Sequence, residues 1–426
     1  LHTSFTMNQQ QTSQEFQLLG NSEDKRLNWV LGAYYFKESG NLHDYVTFAE
    51  GLLQVDGPNN LATKNYAFYG QVDYKFNDQF GITVGGRYTH EDKTFEGFQS
   101  DANGLTYKIL NFLAGIGAGP PACANINPIS DACRIAAGFP NAGQPLRYYV
   151  AGVQDKKFNN FAPKVGVQFH PNDDVMVYAS WSKGYKTGGW TTRLSNPLPY
   201  APNFDEEKAT TKELGVKSTL MDRKLQLNAA VFETKYNGIQ LNFQQGVSPT
   251  IQNAGDAKIK GAEIEAILAP VDGFLINASF GYLDAKYTSV LAGAQVAPST
   301  GKFGQAGVVP GATLPKTPKF KFNISPRYEV NLANGGSLVL LADYTHTDKM
   351  KNDTEGSYLL DRPSTDQVNA SVTYNEPQGK WNATVGGTNL SDERYLTTGQ
   401  AQLAGGQVYG TYSRPREWYA RIGVKF

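Results

Sequence analysis

The segment Asn65-Tyr66-Ala67-Phe68-Tyr69-Gly70-Gln71-Val72-Asp73-Tyr74-Lys75-Phe76 alternates strictly between two kinds of residue. Tyr66, Phe68, Gly70, Val72, Tyr74 and Phe76 fall on one face, and Asn65, Ala67, Tyr69, Gln71, Asp73 and Lys75 on the other. Successive side chains of a strand point to opposite sides, so this period of two predicts a strand with one apolar and one polar face. The same pattern sets Phe320, Phe322, Ile324 and Tyr328 against Lys321, Asn323 and Arg327. It recurs in Gln367–Tyr374, and in the last segment, where Trp418, Ala420, Ile422, Val424 and Phe426 oppose Glu417, Tyr419, Arg421, Gly423 and Lys425. It also runs through Ile82–Tyr88, Pro163–Phe169, Val175–Trp181, Phe274–Tyr282 and Leu338–Tyr344. These segments are about 10–15 residues long, against ~5–6 for ordinary strands and the ~9–11 that a tilted strand needs to cross a bilayer. Length therefore predicts an all-β fold, a transmembrane antiparallel β-barrel.

The connections alternate as well. Short ones at Asn21–Arg26, Asn77–Gln79, Pro171–Asp174, Met221–Lys224, Asp272–Gly273, Ala333–Gly336 and Pro377–Lys380 are rich in Asn, Asp, Gly or Pro, the residues of tight turns. Long ones lie near 39–61, 97–155, 190–205, 244–254, 289–318, 351–363 and 397–413. Short turns at one rim and long loops at the other are the pattern of outer-membrane barrels. Seven turns and seven loops join about 15 strands, an odd number where bacterial single-chain barrels are normally even. The first strand, near Gln11–Leu19, enters from the long-loop side, so further strands are expected before it. The chain opens on Leu1, without a basic-then-apolar leader, and reads as a mature product or a fragment.

Composition narrows the classes. Lys+Arg and Asp+Glu are both 39 of 426 residues, which leaves no basic footprint for a nucleic-acid partner. Charged residues are 18%, below the ~25% of soluble domains. No apolar run approaches the ~20 residues of a membrane helix. A soluble β-propeller is the alternative from another class, since several turns recur at roughly 50-residue spacing, as in kelch blades. Strand length, the aromatic rim and the lack of repeated blade signatures argue against it. A passive porin is a further alternative.

The chain resembles the TonB-dependent receptors of Gram-negative outer membranes. The likeness rests on Gln14-Glu15-Phe16-Gln17-Leu18 with Trp29–Tyr35, on Phe161-Ala162-Pro163-Lys164-Val165-Gly166, and on Val177–Trp190 with its Gly184-Tyr185-Lys186-Thr187-Gly188-Gly189-Trp190 ending. It continues through Glu206, Glu207 and Glu213–Lys217, Asn253-Ala254-Gly255, Lys260–Glu265, Gly387-Thr388-Asn389-Leu390-Ser391-Asp392 and Pro415-Arg416. The resemblance implies the C-terminal part of a barrel of ~22 strands, with no plug-like stretch in this chain. It implies import of a scarce, bulky nutrient (siderophore, haem, cobalamin or oligosaccharide), coupling to TonB through the plug, and an outer-membrane location among lipid. Trp418, Ile422, Val424 and Phe426 resemble the signal read by the barrel assembly machinery. Such chains pass through an oxidising periplasm, so Cys123 and Cys133, in the longest loop, are expected to form a disulfide.

Catalytic chemistry finds no foothold. None of His2, His43, His90, His170 and His346 sits in a zinc-protease motif, and no G-x-S-x-G or phosphate loop occurs. No catalytic residue, metal or cofactor is assigned. Glu263 and Glu265 read as a lumen wall alternating with lipid-facing Ile264. Lys108–Gly119 reads as a short helix or turn inside the longest loop. Aromatics at strand ends, among them Trp29, Tyr88, Trp181, Tyr282 and Tyr344, are expected to form a girdle. Within the long loops, Trp190, Tyr200, Tyr358 and Tyr409 are candidates to stack on a ligand, and Arg193, Arg362 and Arg414 to pair with its carboxylates or phosphates.

Overall fold

A computed structural model describes residues 2–48, 51, 53–124, 130–136, 147–149, 151–192, 194, 198, 200–245, 248–402 and 407–425. Fifteen strands follow one another along one antiparallel path: β1 (His2–Asn21), β2 (Leu27–Phe48), β3 (Leu53–Lys75), β4 (Phe80–Gly97), β5 (Gln154–Asn172), β6 (Val175–Lys186), β7 (Glu207–Leu220), β8 (Leu225–Asn237), β9 (Gly255–Leu268), β10 (Phe274–Val290), β11 (Phe320–Asn331), β12 (Ser337–Thr347), β13 (Thr365–Asn375), β14 (Trp381–Thr388) and β15 (Glu417–Val424). The two-residue strand Ser100–Asp101 pairs beside β3. Neighbours in sequence are neighbours in the sheet throughout, joined alternately by short turns and long loops. One continuous sheet of this kind is not the set of separate blades that a propeller requires.

The register aligns the alternating residues into rows. Trp29, Val72, Val84, Val165 and Trp181 are successive direct partners on β2 to β6. Leu214, Val231, Ala262, Tyr282 and Phe320 continue this face across β7 to β11, and Leu340, Val372, Val385 and Ala420 close it. Aromatic pairs border it near the turns, as with Phe80 on Phe169 (4.8 Å), Phe274 on Tyr328 (5.8 Å) and Tyr374 on Trp381 (5.3 Å). The opposite face is polar and hydrogen-bonded. Asn323 donates to Asp343 (2.6 Å) and Thr345 (2.9 Å), while Ser325 and Asn369 also donate to Asp343. Ile324 lies on the apolar face, with Ala278 and Tyr344 as its partners.

Several boundaries differ from the sequence reading. The first strand is twice the expected length, and the connection near 39–61 is not irregular, because β2 and β3 stay paired from Leu27–Tyr74 up to Phe48–Leu53. Above the bilayer both faces meet water, so Asn, Gln, Ser and Thr extend the strands without any alternation to mark them. The connections near 244–254 and 397–413 likewise carry hairpins, Gln240–Gln245 with Ser248–Asn253 and Leu396–Gln402 with Gln407–Tyr412. Near 190–205, Gly189–Trp190 pairs with Asn203–Phe204. The 97–155 connection holds the helix α1 (Leu105–Gly115), where the sequence suggests one, and α2 (Asp131–Ala136). The 289–318 connection folds back on itself through bridges such as Val296–Val308 and Ser299–Gln305.

Candidate functional site

The long loops pack on one another at a single rim. Phe95, at the far end of β4, is fully buried under Trp190, whose ring stacks on it at 5.7 Å and 21°. Tyr148, Tyr149, Leu194 and Ala201 complete this cluster. Burial pushes the Tyr149 hydroxyl up to about 12. The buried Gln99 amide acts as a backbone surrogate: its Nε2 donates to Leu194 O and its Oε1 accepts from Leu194 N, both at 2.8 Å. A second cluster gathers Ile239, Leu241, Phe243, Val308 and Leu314 from two connections around Tyr287 of β10. Towards β12–β15, the buried Asn352 donates to Leu360 O (2.9 Å) and Leu396 O (3.1 Å), which ties two further loops together.

The candidate residues take different places on this rim. Trp190 is 8% exposed and its face is covered by Phe95, so its ring packs loop against strand. Arg193 lies outside the described residues. Tyr200 is open to solvent at 60% exposure. Tyr358 is half-exposed, with Lys351 Nζ 4.7 Å from its ring. Arg362 stacks its guanidinium 3.8 Å over Tyr395 and donates to Thr365 (2.9 Å). Tyr409 is exposed and donates to Gln400. Arg414 is the most open, 87% exposed, 3.9 Å from Glu417. Lys351 joins Tyr358 to Asp361, which it bonds at 2.7 Å, while Arg362 stands apart on Tyr395. Cys123 and Cys133 are joined by a disulfide that ties the short helical turn at Pro121–Cys123 to α2. Trp418, Ile422 and Val424 project from the apolar face of β15, and Phe426 lies outside the described residues. Among the described residues, no group of three His, Cys, Asp or Glu is placed to hold a metal ion.

Sequence reasoning missed Phe95, Tyr148, Tyr149, Gln99 and Asn352. The alternation of β4 does continue to Phe95 on the polar face, which is a readable sign that something covers that face. The others sit in loops where no period exists to place them.

Residues 2–390 match the family model for TonB dependent receptor-like β-barrels. The chain belongs to this family. Among curated proteins it is 26% identical over 268 residues to a probable TonB-dependent siderophore receptor, PiuA, of Acinetobacter baumannii, a match that covers 62% of this chain and 33% of that protein. It is 29% identical over 142 residues to the ferrichrome outer membrane transporter/phage receptor of Escherichia coli, covering 33% of this chain and 18% of that one. Among solved structures, the ferric yersiniabactin uptake receptor FyuA of Yersinia pestis shares the fold at a TM-score of 0.76 and 17% identity, over 100% of this chain and 55% of that one. The solved PiuA structure does so at 0.68 and 17%, over 98% and 56%. The chain thus spans about half the length of the solved receptors that it matches.

In this TonB-dependent receptor barrel, several of the residues behind the resemblance, Thr187, Gly188, Asn253, Asn389 and Asp392, are rim fastenings. Thr187 donates to the buried Glu91 (2.7 Å), and Lys93 reaches Gly188 O (3.1 Å) while pairing with Glu91 (3.1 Å). A Cβ on Gly188 would overlap the Phe204 carbonyl oxygen, so only glycine lets the two loop segments approach so closely. Asn253 bridges two loops, donating to Gly238 O (2.8 Å) and Asp205 O (3.1 Å) and accepting from Asp205 N (2.6 Å). Asn389, in the left-handed region at φ 49° and buried, donates to Glu393 O and Arg414 O and accepts from Glu393 N. Asp392 accepts from Arg416 N (3.0 Å), a bond that holds its carboxyl below the usual range.

Proposed function

We propose that this chain is the barrel portion of an outer-membrane receptor that imports a scarce, bulky nutrient of the siderophore class by TonB-driven gating. The observation that carries this reading is the rim: in a barrel of this receptor family, the long loops interlock through buried cores and side-chain bonds into a pre-formed mouth. The relatives' names, a probable siderophore receptor and a ferrichrome transporter, point to the same ligand class. Tyr200, Tyr358, Arg362, Tyr409 and Arg414 are the side chains we assign to capture. Aromatic faces and guanidinium groups suit a ligand with rings and carboxylates or hydroxamates. Trp190, covered by Phe95, belongs to the supporting layer. The lumenal wall would hold a plug that TonB pulls from the periplasm, the apolar face would meet membrane lipid, and Trp418, Ile422, Val424 and Phe426 would be read by the barrel assembly machinery. The whole protein performs binding and passage, with no covalent chemistry.

The test is uptake of radiolabelled ferric siderophores by iron-starved cells carrying the full-length protein. Uptake that disappears on deletion of TonB is expected. Equal uptake without TonB would identify a passive pore and overturn the gated reading.

A further inference from the structure

Three stretches on the long-loop side differ from the rest of the chain in charge. Across 238–255, 287–315 and 395–413 the one charged residue is Lys302, although 18% of the whole chain is charged. Their polar side chains are amides and hydroxyls, and Asn242, Gln295, Thr398 and Gln407 are exposed. The fold brings these stretches together over the lumen. Ala285 and Tyr287 alternate with the outward Tyr282 and so face the lumen, where Ile239, Phe243, Val308 and Leu314 pack on them. Gln252 donates to Gly293 O (3.2 Å) and Leu291 N to Ala254 O (2.8 Å), which joins the first stretch to the second. Lys316, one residue past the second, donates to Thr397 O (2.8 Å) in the third. Phe303 and Tyr412 stand open on this surface, at 69% and 66% exposure. Cations at its margin are held by the protein itself, Lys351 by Asp361 (2.7 Å) and Lys316 by Thr397 O and Asn352.

We propose that this sector of the mouth selects its ligand by charge, holding an electrically neutral ferric chelate of the tris-hydroxamate type and disfavouring multiply anionic chelates. The inference rests on the siderophore reading above and deepens it. Three hydroxamates carry three negative charges and cancel those of ferric iron, whereas three catecholates carry six and leave a trianion. Bringing a trianion out of water onto this surface costs desolvation, and within the sector only Lys302 offsets it. Arg362, at the border, can bond a hydroxamate oxygen but does not balance a trianion. A neutral chelate meets no such cost. Its carbonyl and amide groups find partners in Asn242, Gln295 and Gln407, and its hydrocarbon parts find Phe303 and Tyr412. Charge then separates two chelates of the same metal, by disfavouring the wrong one as much as by fitting the right one.

The experiment measures equilibrium binding to the full-length receptor in neutral detergent, with three probes: a neutral cyclic ferric tris-hydroxamate, a trianionic ferric tris-catecholate and uncharged maltoheptaose. The hydroxamate should bind roughly tenfold or more tightly than the catecholate. Its affinity should be nearly the same at low and high salt, because no charge pair is there to be screened. The double variant Asn242→Lys, Thr398→Lys places two cations in the sector and should shift the ratio of the two affinities toward the catecholate by about tenfold. Gln378→Lys, in the short turn at the opposite rim, should leave that ratio unchanged. Equal or tighter binding of the catecholate by the unaltered receptor, or an unchanged ratio in the double variant, would overturn the proposal. Should the double variant fail to fold, the unaltered receptor decides alone, with a steep salt dependence of hydroxamate binding refuting charge selection. Binding of maltoheptaose and of neither iron chelate would instead overturn the siderophore reading beneath it.

Discussion

Asn389 shows how one side chain can secure a rim. Its amide closes three hydrogen bonds with the backbone between β14 and β15, and its left-handed backbone suits Asn better than most residues. Asn389→Ala leaves part-buried backbone bonds to Glu393 and Arg414 unmade and should cost about 1–2 kcal/mol, read as a lower denaturant midpoint of the refolded barrel. Asp392 adds a pH dependence. Its folded carboxyl titrates below the usual value through the Arg416 N–H, so its support is complete at neutral pH and is lost as pH falls through that lowered value. Protease cleavage within 388–417 should therefore rise under acid, and Asp392→Ala should show the raised cleavage already at neutral pH. The sequence made these residues noticeable as a motif without saying what they do. It also suggested Trp190 as a ligand platform, because a loop aromatic looks the same on paper whether it is covered by Phe95 or open, as Tyr200 is.

Strands were legible where lipid enforces an alternation and illegible where water does not. The face assignment of β11 followed from the order of Phe320 to Tyr328 alone, since a slip of one residue would put Lys321 into lipid. Ile324→Arg should accordingly lower barrel stability by about 2–4 kcal/mol, while Asn323→Arg, on the polar face beside Asp343, should cost much less; comparable losses in matched unfolding titrations would refute the assignment. The upper halves of β1 to β3 carry no such constraint, so the sequence starts β1 only near Gln11 and reads Asn59-Asn60 as loop. In the 97–155 connection the only covalent constraint is the Cys123–Cys133 bond. It closes a short loop worth roughly 2–3 kcal/mol of local ordering. Thiol labelling of the unreduced protein should find no free cysteine, and Cys123→Ser should expose the α2 region to proteases while leaving the strands protected.

At the scale of the molecule, the open question is closure. Within the described residues β1 pairs only with β2 and β15 only with β14, so the sheet ends in two edges. Backbone groups at an edge cannot stay unpaired in lipid, and the receptors that share this fold are about twice as long as the chain. The two edges should therefore pair with further strands, as in a barrel of ~22. Cysteine pairs in the full-length receptor test this directly. Gly386→Cys with Tyr419→Cys joins register partners on β14 and β15 and should cross-link on oxidation. Gln17→Cys with Tyr419→Cys spans the two edges and should stay reduced. A cross-link in the second pair would mean that fifteen strands close by themselves. The lumen would then be far narrower than a plugged transporter needs, and the function would shift from gated import to a small independent pore.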